Sequence, residues 1–392
     1  MTLTLRPSQL CLAAVLLALA APGARAAEAP PATAPATAPA ATSPAPEALT
    51  TLFKPRRSAY SARPAYGCKI PLHWSVVPLP KLVPVVIDVV DDQGQKVAAQ
   101  ECWPAPDTTK WSGDVQHDYW LCLPKYRIKG KVTGEGIPEG KYTLWVHIGR
   151  DDAHGVSQPI AVGPGLNVDA RNHILIGTLT IDANAPLPDL GPKTLDLTGY
   201  RLTFHDDFEA LSVSAKGPCG EGPGLTRWMA HTPYWGDFGD AHFVDPTPDF
   251  PFTVNDGVLT IQVRKTDQGW QGGLLSSADP QGQGFAQKFG YFEMRAQLPK
   301  GPGTWPAFWL VSVTNLRDKA DKTTGAEIDV LEQYGHSPNK LCTTTNLWHI
   351  NGNPKGHDFT AEAFPVVGMT DGFHNYGVLI TEERLTYYYD GV

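Results

Sequence analysis

The sequence predicts an all-β protein built from two β-sandwiches in series. Glycine and proline occur 38 and 36 times among 392 residues, a balance that favours turns and strands over long helices. From about residue 66 onward, short β-branched or alternating runs are separated by turn residues. From about residue 196 to the last residue, no helical pattern of any length interrupts these runs.

The charge balance excludes a nucleic-acid partner. The formal net charge is −8, and no long basic run stands out along the chain. Binding to phosphates needs a basic face, which this composition does not supply. A neutral or weakly charged partner molecule fits better.

Residues 1–26 are predicted to be a secretory signal peptide. Arg6 precedes an apolar run from Leu10 to Ala21, and Ala24-Arg25-Ala26 forms a small-x-small cleavage pattern. The run is shorter than the ~20 residues of a stable transmembrane helix, although an uncleaved N-terminal anchor is the competing interpretation. We therefore expect export to the periplasm or the extracellular space, and no membrane partner.

Residues 27–60 are predicted to form an extended linker, because a segment so rich in Ala, Pro, Thr and Ser buries too little apolar surface to become ordered. Residues 61–190 then contain β-runs at a spacing that suggests a small immunoglobulin-like sandwich. This second segment shows no catalytic pattern and is interpreted as an accessory domain. Its clearest predicted strands are Val83–Val90, Lys96–Cys102, Gly140–Ile148 and His173–Ile181.

Three tryptophans of the accessory domain have two interpretations. Trp103, Trp120 and Trp145 could form a sugar-binding platform, but burial in the core is the more frequent role of such side chains. The sequence alone favours the core.

The cysteines indicate neither zinc nor redox chemistry, because no two of them form a CxxC pair. Five would remain after removal of Cys11 with the signal peptide, so disulfides are expected within each domain after export. Cys102 and Cys122, which are 20 residues apart, are the predicted pair.

Residues 195–392 follow a stiff Pro-rich connector and read as one long unit of antiparallel strands. Such a unit is typical of a two-sheet sandwich or jelly roll. The predicted strands are Gly257–Arg264, Phe289–Leu298, Ala307–Val313, Glu327–Glu332, Cys342–His349, His374–Ile380 and Leu385–Asp390.

Three acidic residues in one of these strands are the strongest chemical signal. Glu327 and Asp329 share a face by strict alternation, which would turn Glu332 into the core. A buried unpaired carboxylate is costly. Either the strand ends near Val330, or a bulge at Val330–Leu331 returns Glu332 to the face of the other acids. On this segment alone, a solvated strand face is the more frequent explanation.

The segments that precede the three acids favour a functional role over a solvated strand face. Gly290-Tyr-Phe-Glu-Met-Arg295 and Gly303-Thr-Trp-Pro-Ala-Phe-Trp-Leu310 precede Glu327-Ile-Asp-Val-Leu-Glu332. In this order and spacing, the chain resembles glycoside hydrolase family 16, the relatives of laminarinases, lichenases and agarases. Shorter matches extend the resemblance over about residues 197–392, and they are Leu202–Phe208, Asn255–Ile261, Gly273–Ser277 and Phe373–Tyr376. The resemblance implies a concanavalin A-like β-jelly roll for this domain.

The resemblance also implies roles for the three acids. Glu327 would be the nucleophile of a retaining, endo-acting hydrolase of a β-linked glucan or exopolysaccharide, and Glu332 its acid/base. Asp329 would hydrogen-bond Glu327 and control its protonation.

Trp305 and Trp309 flank the same cleft by the resemblance, and their flat rings suit the apolar face of a sugar. Substrate stacking is favoured over core packing for Trp305, whereas the two roles are equal alternatives for Trp309. Many laminarinases carry a His where this chain has Asn346, and His349 follows three residues later, so both are candidate substrate contacts. Trp228, Trp235 and Trp270 lie in loops, where a cleft wall and core packing are equal alternatives.

Several further expectations follow from the resemblance. The C-terminal strands of the family domain are expected to be missing after Val392, so the jelly roll would be incomplete. No metal or other cofactor is required, although a structural calcium ion is compatible with the complete domain. The partner is a polysaccharide and the protein is expected to be a monomer. Alternatives are a non-catalytic carbohydrate-binding protein on the same fold, a transglycosylase, and an adhesion protein.

Overall fold

The computed structural model describes two β-rich parts, and the acids predicted to be functional lie in the second. The residues it describes are 12–20, 52–55, 59–64, 66–76, 78–79, 83–102, 108–122, 125–128, 131–149, 166–234, 236–318, 320, 325–349, 353, 356–366 and 368–392.

The N-terminal part contains ten of the first eleven strands, and the first strand joins a sheet of the C-terminal part. The eleven are β1 Leu12–Ala20, β2 Leu52–Pro55, β3 Ala59–Ala62, β4 Gly67–Val76, β5 Val85–Val90, β6 Lys96–Cys102, β7 Gly113–Cys122, β8 Lys125–Ile128, β9 Lys131–Glu135, β10 Gly140–Ile148 and β11 Ile174–Ile181, with a 3-10 turn at Thr108–Lys110. A five-stranded sheet has the order β3-β11-β10-β5-β6, a three-stranded sheet has the order β2-β4-β7, and β8 pairs with β9.

One apolar core joins the larger two of these sheets. Burial alternates along β10 from Tyr142 to Val146, because Tyr142, Leu144 and Val146 are buried and the residues between them are not. The aromatic centre of this core is the pair Trp74 and Trp111, whose rings lie 5.5 Å apart. The end of the predicted linker is ordered, because β2 pairs with β4 and β3 pairs with β11. The immunoglobulin-like class of this sandwich stays a prediction.

The structure contradicts the disulfide predicted between Cys102 and Cys122. Both are free thiols, and so are the other three described cysteines. Cys102 ends a strand of the five-stranded sheet and Cys122 ends a strand of the three-stranded sheet, so the two are not cross-strand neighbours. Burial raises the pKa of the Cys122 thiol to about 12, which disfavours the reactive thiolate.

The C-terminal part confirms the all-β prediction. Its strands are β12 Val213–Ser214, β13 Trp228–Ala230, β14 Ala241–Phe243, β15 Phe252–Asn255, β16 Val258–Ile261, β17 Arg264–Thr266, β18 Gly269–Gly272, β19 Leu274–Ser276, β20 Gly290–Ala296, β21 Thr304–Ser312, β22 Gly325–Glu332, β23 Lys340–Trp348, β24 His357–Pro365, β25 His374–Ile380 and β26 Leu385–Tyr389. A four-residue helix, α1 Thr314–Arg317, follows β21.

Two main sheets form the jelly-roll sandwich of this part. The larger has the order β12-β13-β19-β1-β21-β22-β23-β24, and the smaller has the order β20-β25-β26. Side chains between them, including Leu310, Ile328 and Val378, are fully buried in one apolar core. The opposite face of the larger sheet carries the acids of β22 and a smaller apolar cluster that includes Ala307 and Val311.

The apolar run of the predicted signal peptide forms a strand of the larger sheet. β1 pairs antiparallel with β21 along its full length and with β19 on its other side. Each residue of this nine-residue run has a backbone N–H and a backbone C=O, and these groups can bond to the strands on both sides. The cleavage of residues 1–26 stays a prediction.

The two parts touch where β7 faces β24. The ring of Trp120 meets the ring of Phe364 edge-on at 6.3 Å, and His117 Nε2 lies 3.8 Å from Glu362 Oε1. Trp120 therefore packs between the two parts. Of the other two tryptophans considered as a sugar-binding platform, Trp145 donates its N–H to Thr143 at 3.1 Å, and Trp103 lies outside the described residues. No helix in the described ranges is long and apolar enough to cross a membrane.

Candidate active site

A β-bulge in β22 brings the three acids to one face of the larger sheet. Asp329 lies opposite Thr344 and Glu332 lies opposite Cys342, so three steps along β22 match two steps along β23. The same extra residue appears against β21, where Trp309 faces Asp329 and Phe308 faces Leu331. Val330 and Leu331 both enter the core. The predicted bulge is confirmed, and the strand does not end at Val330.

The Glu327 carboxylate accepts hydrogen bonds at both oxygens. Asn346 Nδ2 donates to Oε1 at 3.1 Å, and the indole Nε1 of Trp348 donates to Oε2 at 2.9 Å. Burial raises the pKa of Glu327 and the nearby Glu332 charge raises it further, while these two donors lower it. The donors thus favour the ionised form that a nucleophile needs.

The Glu332 carboxyl has a different set of donors. Trp305 Nε1 lies 3.0 Å from Oε1, Tyr334 Oη lies 3.3 Å from the same oxygen, and Thr344 Oγ1 lies 3.4 Å from Oε2. Burial is the largest influence and raises the pKa of Glu332, although all three donors oppose it. A raised pKa is what a general acid needs near neutral pH.

Asp329 is the most deeply buried of the three acids, with 7% of its surface exposed. Burial raises its pKa well above the usual value, and the charges of Glu332 and Glu327 raise it further. As the pH falls, the cluster therefore takes up protons as a coupled unit, and Asp329 is the member whose charged form is least favoured. The predicted direct hydrogen bond from Asp329 to Glu327 is replaced by a bridge, because the Asn346 amide lies 3.2 Å from Asp329 Oδ2 and also binds Glu327.

His357 on β24 holds Asn346 in place from the side opposite to the acids. Asn346 Oδ1 lies 3.0 Å from Nε2 of His357, and the His357 ring stacks on the Trp348 ring at 3.8 Å with 5° between the planes. Because Asn346 Oδ1 can only accept, His357 carries its proton on Nε2. The predicted Asn346 is thus part of the acidic cluster rather than an isolated substrate contact.

Trp305 and Trp309 have different environments. Trp305 binds Glu332 and stacks on Tyr334 at 5.4 Å, which places an aromatic surface beside that acid. Trp309 also lies on the face of the acids, but the Phe238 ring covers it edge-on at 5.9 Å. Trp309 Nε1 is buried and has no hydrogen-bond acceptor among the described residues, so a polar group entering there could accept from it.

The structure places Trp228 in the core, whereas a substrate contact by His349 stays a prediction. Trp228 is buried at 4% exposure, donates to Asp206 at 2.8 Å and packs against Phe204, so it belongs to the core. β23 ends at Trp348, and His349 follows it in an exposed turn with a φ of +59°. Its ring makes no hydrogen bond to the acids in the described part of the chain. Trp270 is 37% exposed on β18, and Trp235 lies outside the described residues.

Sequence reasoning missed Trp348, Tyr334 and His357. Trp348 could have been found, because it is two residues beyond Asn346 and so shares its face of the strand. Tyr334 could have been found in the same way, because it is two residues beyond Glu332. His357 lies on β24, a strand that was not predicted, and no local signal indicated that it pairs with Trp348.

One group of described residues could hold a metal ion, and it lies in the N-terminal sandwich. Asp88, His147 and His173 are each 1% exposed, and their ligand atoms lie within 4.8 Å of one another. The two imidazole rings are stacked at 4.1 Å with only 12° between their planes. Nitrogen lone pairs lie in the ring plane, so two parallel rings do not point at one shared ion. With Lys96 Nζ 3.2 Å from Asp88, the group reads as a buried polar cluster.

Comparisons with known proteins relate the region that contains the acids to glycoside hydrolases. Residues 247–392 match the model of glycosyl hydrolases family 16. The chain is 33% identical over 221 residues to the endo-1,3-1,4-beta-glycanase EglC of Rhizobium meliloti, covering 50% of this chain and 42% of EglC. It is 30% identical over 251 residues to the endo-1,3-1,4-beta-glycanase ExsH of the same organism, covering 57% of this chain and 48% of ExsH. These matches support the assignment of this region to family 16.

The chain spans about half the length of these two curated relatives. It is also 25% identical over 272 residues to the glucan endo-1,3-beta-glucosidase A1 of Niallia circulans, covering 59% of this chain and 36% of that protein. Among solved structures, the laminarinase catalytic domain of Thermotoga petrophila overlaps 49% of this chain and 74% of its own length. Its TM-score of 0.36 and identity of 24% are too low to add to the assignment.

Proposed function

We propose that this chain carries the catalytic acids of an endo-acting, retaining glycoside hydrolase that cleaves a β-linked glucan. The observation that supports this most directly is the bulge in β22, which sets Glu332 beside Glu327 and Asp329. A solvated strand face needs no bulge. Grouping three carboxyl groups under burial is unfavourable for folding, and proteins accept that cost mainly where the raised pKa values are used.

The first chemical step uses both glutamates. The Glu327 carboxylate attacks the anomeric carbon, and Glu332 gives its proton to the leaving oxygen as the glycosidic bond breaks. This leaves a glycosyl ester on Glu327 and a carboxylate at Glu332. The hydrogen bonds from Asn346 and Trp348 favour the ionised form of Glu327 and orient it for the attack.

The second step reverses the role of Glu332. Its carboxylate takes a proton from water, the water oxygen attacks the anomeric carbon, and the ester bond to Glu327 breaks. Two inversions at one carbon give net retention of the β-configuration. Burial and the charges of the two glutamates disfavour the charged form of Asp329, and its protonation limits the negative charge in the cluster. This chemistry needs no metal or other cofactor, because the side chains supply the nucleophile and the proton.

The substrate class rests on the relatives and on the aromatic surfaces beside the acids. Both Rhizobium meliloti relatives are named as endo-1,3-1,4-beta-glycanases. Trp305 with Tyr334 lies beside Glu332, and Trp348 with His357 lies beside Glu327. Flat rings on both sides of the acids suit sugar units on both sides of the bond that is cut, as an endo-acting enzyme requires.

Export is part of the proposal. The signal-like pattern of residues 1–26 and a substrate too large to enter a cell both favour a secreted or periplasmic protein. A monomer is sufficient, because all three acids and their donors come from one chain.

Release of reducing ends from a panel of polysaccharides tests the proposal. The panel contains a β-1,3-glucan, a mixed-linkage β-glucan, cellulose and an α-glucan. We expect cleavage of one or both of the first two into oligosaccharides, and loss of cleavage in Glu327→Gln with binding retained. Binding of the glucan without cleavage by the wild type would favour a carbohydrate-binding protein. Longer products formed at high oligosaccharide concentration would indicate a transglycosylase.

A further inference from the structure

His357 reaches the catalytic acids through Asn346 and lies outside the motif segments of β21 and β22. It occupies the first position of β24, directly opposite Trp348 in the antiparallel ladder. Its ring lies at the exposed rim of the acidic face, and it makes no hydrogen bond or ion pair with either glutamate in the described structure. Its polar connection to the acids therefore runs through another side chain.

The polar connection runs through the Asn346 amide. His357 Nε2 lies 3.0 Å from Asn346 Oδ1, and Asn346 Nδ2 lies 3.1 Å from Glu327 and 3.2 Å from Asp329. A donor at Oδ1 fixes the amide with its N–H groups toward the acids. It also polarises the amide, so those N–H groups become stronger donors.

An aromatic connection runs beside it. The His357 and Trp348 rings are stacked at 3.8 Å and 5°, and the Phe359 ring lies 5.6 Å from His357 at 19°. Trp348 in turn donates to Glu327 Oε2 at 2.9 Å. One side chain thus supports both donors of the Glu327 carboxylate, one by a hydrogen bond and the other by stacking.

We propose that His357 is a positioning residue that fixes the Asn346 amide and the Trp348 indole as the two donors of Glu327. It deepens the proposed function, because it assigns a residue to the same site. Hydrogen bonds to a carboxylate favour its ionised form. Loss of the His357 donor therefore disfavours the charged form of Glu327, and the acidic limb of the pH–rate profile moves to higher pH.

Two substitutions separate the polar connection from the aromatic one. His357→Phe keeps a flat ring against Trp348 but has no N–H, whereas His357→Gln keeps a side-chain N–H donor but has no ring. We expect His357→Phe to lower kcat/KM about tenfold near neutral pH, as befits a lost hydrogen bond in a polar network, and to shift the acidic limb upward. We expect His357→Gln to restore the position of that limb. His205→Phe, at an exposed site on another segment, is the matched control.

The pH–rate profile is measured together with the carboxyl titration of the folded protein, by NMR with isotope-labelled Glu and Asp. The titration does not depend on turnover. An inactive wild type in which His357→Phe still raises the pKa of Glu327 would overturn the proposed function and keep this inference. An active enzyme in which His357→Phe and His357→Gln lose the same activity with unshifted profiles would overturn the inference, because a structural role alone explains that result.

Discussion

Trp305 on β21 donates its indole N–H at 3.0 Å to Oε1 of Glu332, the residue that follows the bulge in β22. This bond lowers the pKa of Glu332 against the larger effect of burial. The same residue that offers an aromatic surface to a sugar therefore also adjusts the proposed acid/base.

The first prediction concerns Trp305→Phe. This change keeps an aromatic ring beside Glu332 and removes the N–H. Without the donor the charged form of Glu332 is less stable, so its pKa rises and the alkaline limb of kcat/KM moves to higher pH. Trp145→Phe, which removes a similar indole bond to Thr143 in the N-terminal sandwich, is the control and should leave the profile unchanged. A downward shift of the limb in Trp305→Phe would contradict the assignment.

The second prediction concerns Asp329→Asn. The folded-state pKa of Asp329 is raised, so its contribution to stability is full below its unfolded pKa and is lost as the pH rises through its folded pKa. Asn mimics the protonated acid at every pH and still accepts from Asn346. We expect a higher melting temperature than wild type at pH 7, no gain near pH 3, and reduced turnover. Thermal unfolding at a series of pH values checks this.

Asp207→Asn, at an exposed position, is the control for that series and should change stability little at any pH. A lower melting temperature of Asp329→Asn at pH 7 would show that the charged form of Asp329 stabilises the fold, which is the opposite of what its burial predicts.

Much of this site could be predicted from the sequence, for a physical reason. The spacing of Glu327, Asp329 and Glu332 conflicts with simple alternation, and only a bulge resolves the conflict without burying a lone charge. His357 could not be predicted, because its place depends on the pairing of β23 with β24, and that register is a long-range property. The sequence could not decide between a cleft wall and the core for Trp228, because its loop-like surroundings show no sign of the core that it forms with Phe204 and Phe208.

The third prediction concerns Glu362 between the two parts of the chain. Burial raises its pKa to about 7, and His117 Nε2 lies 3.8 Å away. Its stabilising contribution is full below its unfolded pKa of about 4.5 and is lost as the pH rises through 7, at a cost of at most about 3 kcal/mol. Glu362→Gln should flatten the pH dependence of stability over this range, as measured by thermal unfolding. Glu382→Gln, which changes an exposed carboxyl, should leave that dependence as it is in the wild type.

The fourth prediction concerns the N-terminus. If residues 1–26 are a cleaved export signal, the mature protein begins at Ala27 and is recovered outside the cytoplasm. Mass spectrometry of the N-terminal peptide from the exported protein checks this. Ala26→Phe should block cleavage because the site needs a small residue, whereas Ala29→Ser should not. An exported protein that keeps Met1 would instead support an uncleaved anchor.

Azide rescue distinguishes Glu327 as the nucleophile from Glu332 as the acid/base, and no other measurement tests these two roles so directly. Each acid is changed to Ala and assayed on an aryl β-glycoside, whose good leaving group needs little protonation. In Glu332→Ala the ester on Glu327 still forms and azide discharges it, so we predict a β-glycosyl azide. In Glu327→Ala azide replaces the missing carboxylate, and we predict the α-glycosyl azide. The same anomer from both variants, or undiminished turnover in either one without azide, would contradict the assigned roles.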